Sequence, residues 1–413
     1  MLETLRPIAE AIRARGGRAI AVGGFVRDRL LRELGRRAEP EKDLDVEVFG
    51  LAERDLVDVL RGFGELHRYG RAFPVMHLAG RPIDFALPRG AHGPDPSLDF
   101  AAAARRRDLT IHAIGLDPLT SELLDPLGGR ADLAARVLRA ADPHTFGSDP
   151  LRGLRVVQVA ARFEMEPDAE LVALCRALDL GGLPGERLLI EFDKLLLRAD
   201  RPSRGLDVLR RTDLARFFPE LAPPGVSDWS QTGRALDAAA RLRCGSPGDP
   251  ERDDRVLMYA VLFHAPGADA ARTFLERLRA PHALITQVLA LIGHRRVPEE
   301  FARGATPAAY RGLARELEAA GVSADLLERA ARAVAEARGS GFPEGRQFLA
   351  EIARLEIPHG GPRDAVFGRH LLARGLSPGP EFARILARCR AVQDETGWSD
   401  PEEILRRALD GPA

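Results

Sequence analysis

Two short motifs near the N-terminus constrain this chain more than anything else in it. Val22-Gly-Gly-Phe-Val-Arg-Asp28 reads as a glycine turn that opens a helix, and Lys42-Asp-Leu-Asp-Val-Glu-Val48 as a short strand. Side chains alternate along a strand, so Asp43 and Asp45 share one face while Leu44, Val46 and Val48 take the other. Two ionised carboxylates side by side repel, and a divalent cation between them removes the penalty. A glycine turn at a helix start, for its part, presents backbone N–H groups to phosphate oxygens. Together the motifs predict a site for a metal-bound nucleoside triphosphate.

The surrounding periodicity supplies a fold for that site. Leu2, Leu5, Ile8 and Ile12 fall at helical spacing over 2–14, Arg18 to Val22 is a strand, and Phe25 to about Leu34 is a helix. A helix near 51–62 follows, then strands from Phe73 and from Pro82. In the last of these Ile83, Phe85 and Leu87 face one way and Asp84 the other, so Asp43, Asp45 and Asp84 are expected on one sheet face. Leu98–Arg107 reads as helix, Asp108–Gly115 as strand, and Asp125-Pro-Leu-Gly-Gly as a turn. From about Asp149 the pattern is almost wholly helical, with Val156, Val159, Ala160 and Phe163 as core candidates. Asp149 and Arg152, three apart, would share a helix face. Proline-rich breaks at 221–225, 246–250 and 339–343 mark boundaries. The fold class is α+β: a mixed-sheet head over 1–140, then helical segments over 141–222, 223–345 and 346–413.

Composition narrows the class of protein. With 413 residues, 45% hydrophobic and 29% charged, the chain has length for several buried cores. No apolar run reaches the roughly 18–20 residues that span a bilayer, and no basic-then-apolar leader opens the chain, so a cytoplasmic location is expected. Cys175, Cys244 and Cys389 lie too far apart to imply a zinc cluster or a disulfide framework. A net charge of −1 conceals clusters such as Arg105-Arg106-Arg107, Arg152/Arg155/Arg162 and Arg210-Arg211. Local patches, not whole-chain charge, set phosphate binding.

Four pieces occur in a fixed order: Gly23-Gly-Phe-Val-Arg-Asp28, Lys42-Asp-Leu-Asp45, Arg106-Arg-Asp-Leu-Thr-Ile-His112 and Asp149-Pro-Leu-Arg152. This order closely resembles the class II tRNA nucleotidyltransferases, the bacterial CCA-adding enzymes and their poly(A) polymerase relatives, strongly over residues 1 to about 215 and thinly beyond. Gly375-Leu-Ser-Pro-Gly-Pro380 also resembles their tail segment. The resemblance implies a polymerase-beta-like head followed by helical neck, body and tail. It implies two Mg2+ ions on Asp43 and Asp45, with Asp84 a third carboxylate that helps accept the proton of an RNA 3′-hydroxyl. It places nucleotide contacts at Gly23, Gly24, Arg27, Arg106, Arg107, Asp108, His112, Asp149, Arg152 and Arg155. Arg27 is read either on phosphate or in a structural pair with Asp28. Asp149 and Arg152 would act as a protein template for the base.

By the same resemblance, the substrates are CTP and ATP and the partner is the acceptor/TΨC arm of tRNA. The sequence departs from the family at Leu109 and His112, where phenylalanine and asparagine usually stand, and at Ser148, usually glutamate. The short, nearly uncharged interval 89–99 replaces a charged flexible loop, which keeps addition of CC alone open beside full CCA addition. Poly(A) addition and a non-catalytic tRNA-binding role are the remaining alternatives. His264 falls where some relatives carry a His-Asp phosphohydrolase motif, but Ala265 replaces the aspartate and leaves only His294 as a companion. Metal phosphohydrolysis is not expected there. Oligomeric state is not legible.

Overall fold

The computed structural model describes residues 1–38, 43–70, 74–90, 93–222, 229–243, 250–357 and 360–410. Lys42, Phe73, Ala91, His92, Cys244 and the proline-rich stretches 223–228 and 246–249 lie outside the described residues. The chain divides into two compact units, Met1–Leu195 with Arg204–Phe217, and Leu196–Ser203 with Phe218–Ala413.

The first unit opens on α1 (Leu2–Ala14), whose Leu5, Ile8, Ala9 and Ile12 form one buried stripe. Then come β1 (Arg18–Val22), α2 (Gly24–Glu33), β2 (Leu44–Phe49), α3 (Glu53–Arg61), β3 (Leu66–Tyr69), β4 (Val75–Leu78), β5 (Ile83–Ala86), α4 (Phe100–Ala104), β6 (Gly115–Leu116) and β7 (Leu123–Leu124). The seven strands form one mixed sheet in the order β3-β4-β5-β2-β1-β6-β7. Only β2 and β5 run parallel; every other neighbouring pair in it is antiparallel. Leu44, Val46, Val48, Met76, Leu78, Ile83 and Phe85 are buried on one face. The alternation expected for 44–48 and 82–87 is therefore the one observed. β3 carries no such alternation: Leu66-His-Arg-Tyr69 is a largely exposed edge strand, which leaves periodicity nothing to detect.

The strand expected over Asp108–Gly115 is not formed. Thr110–His112 is a 3₁₀ turn, and only Gly115–Leu116 pairs in the sheet. Leu109, Ile111, Ala113 and Ile114 are all buried. A short run buried on every side does not reveal its backbone by periodicity. Long-range contacts hold the turn: the Thr110 amide donates to the Arg139 carbonyl at 3.0 Å, and its hydroxyl to Asp132 at 2.6 Å. Gly129 packs so closely that a Cβ there would stand 2.3 Å from the Thr110 carbonyl oxygen.

The unit continues through α5 (Gly129–Ala135), β8 (Val137–Leu138), α6 (Arg152–Arg162), β9 (Glu166–Pro167), α7 (Ala169–Arg176), α8 (Gly185–Arg198) and α9 (Pro202–Arg211). β8 and β9 make a small parallel pair of their own. Val156, Val159, Ala160 and Phe163 are buried, as their spacing predicts. In the second unit the described elements run from the short 3₁₀ turn at Pro219–Leu221 through helices that begin at Trp229–Arg241 and end at Pro401–Asp410. Among the described residues no helix is long and apolar enough to cross a membrane.

Candidate active site

Gly23 adopts φ +73° and ψ −136°, a conformation that side chains resist, and α2 starts at the next residue. A Cβ at Gly23 would stand 3.3 Å from Oδ2 of Asp45 and 3.9 Å from Nη1 of Arg107. The glycine turn thus lies directly over the acid pair. Asp45 pairs in register with Val22 on one side and Asp84 on the other, so the two carboxylates are neighbours on one face. Asp43 and Asp45 are both exposed to solvent. Even so, the protein walls around Asp45 desolvate its carboxyl and push it above the ordinary range. Arg107 opposes that shift, while Asp84, Asp43 and Glu47 reinforce it.

Such unrelieved negative charge, offered entirely by hard oxygen donors, fits magnesium. Among the described residues no three His, Cys, Asp or Glu side chains converge closely enough to hold an ion unaided. That also fits, because Mg2+ is commonly held by one or two carboxylates together with water and substrate phosphates.

The arginine belt closes the site. Arg107 donates to Glu47 at 2.6 Å, and Glu47 is the next residue after Asp43 and Asp45 on the same strand face. Asp108 is buried; its Oδ1 accepts from the Leu109 amide at 2.9 Å and from His112 Nδ1–H at 3.0 Å. Arg155 Nε lies 3.0 Å from Oδ2 of Asp108. Burial alone would raise the Asp108 carboxyl, but His112, Arg155 and the Leu109 amide outweigh it and hold the group well below the carboxylate range. Burial pushes His112 down to about 4, against the pull of Asp108. It is therefore neutral at pH 7, with Nδ1 carrying the proton and Nε2 accepting from Arg27 Nη1 at 2.8 Å. Arg27 also forks onto Asp28 through two 2.9 Å bonds and lies 4.2 Å over the Phe163 ring. All three of its nitrogens are engaged and the residue is buried, so it braces the start of α2 from within.

Asp149 and Arg152 do not share a helix face. Asp149 is extended (φ −131°, ψ 101°) and α6 begins at Arg152. The proline between them and the cap that Asp149 makes to the Leu151 amide at 3.2 Å stop the helix short of Asp149. Their side chains do not pair, although the Arg152 amide donates to the Asp149 carbonyl at 3.0 Å. Asp149 takes Arg187 at 3.0 Å, while Arg152 donates to the carbonyls of Thr145 at 2.9 Å and Arg106 at 2.7 Å.

Comparison with known proteins agrees with this geometry. Residues 19–139 match the Poly A polymerase head domain, and 162–223 match the probable RNA and SrmB-binding site of polymerase A. The chain is 30% identical over 428 residues to the multifunctional CCA protein of Nitrosococcus oceani, covering 91% of this chain and 99% of that protein. It is 35% identical over 327 residues to the CCA-adding enzyme of Bordetella pertussis, covering 74% and 79%. The chain belongs to the class II tRNA nucleotidyltransferase family. The family fold extends along nearly all of it: the Bacillus stearothermophilus CCA-adding enzyme in complex with CTP superposes with a TM-score of 0.73 at 20% identity, over 98% of this chain and 97% of that one.

The two polar departures from the nucleotidyltransferase pattern have local explanations. Neutral His112 donates with one nitrogen and accepts with the other, as the amide of the usual asparagine can. Ser148 leaves Arg152 without a neighbouring acid, and backbone carbonyls take that place. Three residues at the site escaped the sequence reading. Glu47 was signalled by the alternation that exposed Asp43 and Asp45. His77, bonded to Asp84 at 2.7 Å, and Arg187, bonded to Asp149, had no local signal. In the second unit His264 and His294 each spend Nδ1 on a backbone carbonyl, of Val261 and Ala290, and His294 Nε2 meets Glu316 at 2.9 Å.

Proposed function

We infer that this chain is a template-independent nucleotidyltransferase that builds the 3′-terminal CCA of tRNA from CTP and ATP, releasing pyrophosphate. The observation that carries the reading is the in-register Asp45–Asp84 pair beneath the Gly23 turn, with Arg107 at its edge, in a chain that spans 99% of a multifunctional CCA protein. Asp43 and Asp45 are the residues that would hold two magnesium ions, which when bound supply Lewis acidity and neutralise the triphosphate. Gly23 and Gly24 let the backbone approach phosphate, and Arg106 and Arg107 line the same path. Asp108 and Arg155 sit beside it for the sugar, with His112 fixing Asp108. Asp84 accepts the hydrogen bond and then the proton of the RNA 3′-hydroxyl. Asp149 accepts from the exocyclic amine of cytosine or adenine while Arg152 donates to a ring acceptor, a pattern that uracil and guanine do not match.

In this reading residues 1–140 do the chemistry, 141–222 select the base, and 223–345 and 346–413 grip tRNA by shape through arginine–phosphate contacts. Transcripts ending in N, NC and NCC, each given CTP or ATP alone, test it. CTP should extend the first two and ATP the third. Arrest at NCC in the presence of ATP would instead assign CC addition, which the short sequence interval between Arg89 and Asp99 favours. Undiminished addition after Asp43→Ala and Asp45→Ala together would place the observed activity outside this site and leave the chain only a tRNA-binding role. Equal use of unstructured RNA would favour poly(A) synthesis.

A further inference from the structure

We propose that His77 is a positioning residue for nucleotide addition: it clamps one oxygen of Asp84 so that the other faces the attacking 3′-hydroxyl. The inference rests on the reading above that Asp84 takes that hydroxyl's proton. Its basis is a row of residues across the sheet. His67 pairs with His77, His77 with Asp84, and Asp84 with Asp45, each in direct register. Directly opposed residues in a ladder project to the same face. His77 therefore stands on the acid face, next to Asp84 on the side away from Asp45.

The contact is a short one, 2.7 Å from His77 Nδ1 to Asp84 Oδ1, with both side chains about one-third exposed at 32% and 34%. An ionised carboxylate only accepts, so Nδ1 carries the proton and donates it. Among the described residues no hydrogen bond reaches Oδ2 of Asp84, which leaves that oxygen for substrate. A clamp is needed here for a stated reason. Asp84 lies beside Asp45 and repels it, and an unanchored aspartate in that field relaxes by rotating its carboxylate away. Holding Oδ1 from the far side blocks the rotation. The strand supplies the rigidity, since His77 is flanked by the fully buried Met76 and Leu78.

The test is single-turnover CMP addition to tRNA ending in N, with Kd for CTP and for tRNA measured beside it. His77→Ala should slow addition about 10- to 100-fold, as small misplacements of a reacting group do, with both Kd values unchanged. His77→Asn keeps an N–H donor near the Nδ1 position and should recover most of the rate, which also separates positioning from failed folding. Asp84→Asn should slow addition at least as much as His77→Ala. The double variant His77→Ala/Asp84→Asn should be no slower than Asp84→Asn alone, because both changes remove one function. Wild-type rates for His77→Ala with a slow Asp84→Asn would overturn the role of His77 and leave that of Asp84. Equal loss in His77→Ala and His77→Asn would show that the ring packs rather than positions. A wild-type rate for Asp84→Asn would remove the reading on which the inference stands.

Discussion

Protonation of His112 should be the first acid-sensitive event in the first unit, and its size follows from the structure. The imidazole is buried between Asp108 and Arg27 as a neutral donor–acceptor bridge, with burial pushing it from 6.5 to about 4. Between those values the unfolded chain binds a proton that the folded chain refuses, so stability is full above about pH 6.5 and falls as pH drops toward 4. At pH 5 the loss is about 2 kcal/mol, and its limit below pH 4 is about 3 kcal/mol, from about 1.36 kcal/mol per unit. His112→Asn removes the titration while keeping a donor for Asp108 and an acceptor for Arg27. Hydrogen exchange of peptides spanning 108–116 is the suitable assay, because both tryptophans, Trp229 and Trp398, lie in the other unit. Comparing wild type with His112→Asn between pH 7 and pH 5 cancels intrinsic exchange and the titrating groups that His112 does not touch. Relative protection of the wild type should drop about 20-fold from pH 7 to pH 5. Asp108, held below the carboxylate range in part by His112, adds its own loss only below about pH 4, outside the window compared. Parallel pH curves for the two proteins down to pH 5 would refute a neutral, buried His112.

Other perturbations have equally definite outcomes. Gly23→Ala should cost about 1–3 kcal/mol of local strain and crowd the Asp45 carboxylate, raising the magnesium concentration needed for half-maximal addition; an unchanged magnesium titration would count against the turn lying over the metal site. Arg187→Met frees Asp149, and the preference for CTP and ATP over UTP and GTP, measured by competition, should fall about tenfold. Affinity for tRNA, followed by filter binding, should fall steeply with added salt, by more than about tenfold between about 50 and 200 mM; a flat response would exclude arginine–phosphate contacts as its source.

What could be read in advance was what depends on local alternation. Asp45 and Asp84 were assignable to one face because each sits between residues that must be buried, Asp43 followed from its two-residue spacing to Asp45, and the sheet register then made Asp45 and Asp84 neighbours. The same rule covers Glu47. Partners supplied from distant segments were not legible: nothing near Asp84 announces His77 across the β4–β5 ladder, and nothing near Asp149 announces Arg187 on α8. The 108–115 segment defeated periodicity because it is buried on all sides, and its turn is set by Thr110 bonding to Arg139 and Asp132. The expected Asp149/Arg152 helix face failed for a local reason, since an aspartate followed by proline caps a helix more readily than it enters one.

The two polar departures from the family pattern have a common physical logic. At position 112 the requirement is one donor toward Asp108 and one acceptor toward Arg27, and a neutral imidazole meets both. At position 148 the usual acid would hold Arg152 by charge. Here the carbonyls of Thr145 and Arg106 hold it by geometry instead. Burial pushes the Arg152 guanidinium down, while the charges of Asp108 and Asp149 pull it back up. Carbonyl dipoles fix the fork without cancelling its charge. An ion pair forms instead at Asp149, where Arg187 meets it. The trio Asp149, Arg152 and Arg187 then carries one net positive charge, which favours the approach of an anionic triphosphate without specifying its base. On the proposed function, base choice would then come from the fixed directions of the Asp149 acceptor and the Arg152 donor. The hydrogen bonds that hold those directions are therefore more sensitive points for fidelity than the charges themselves.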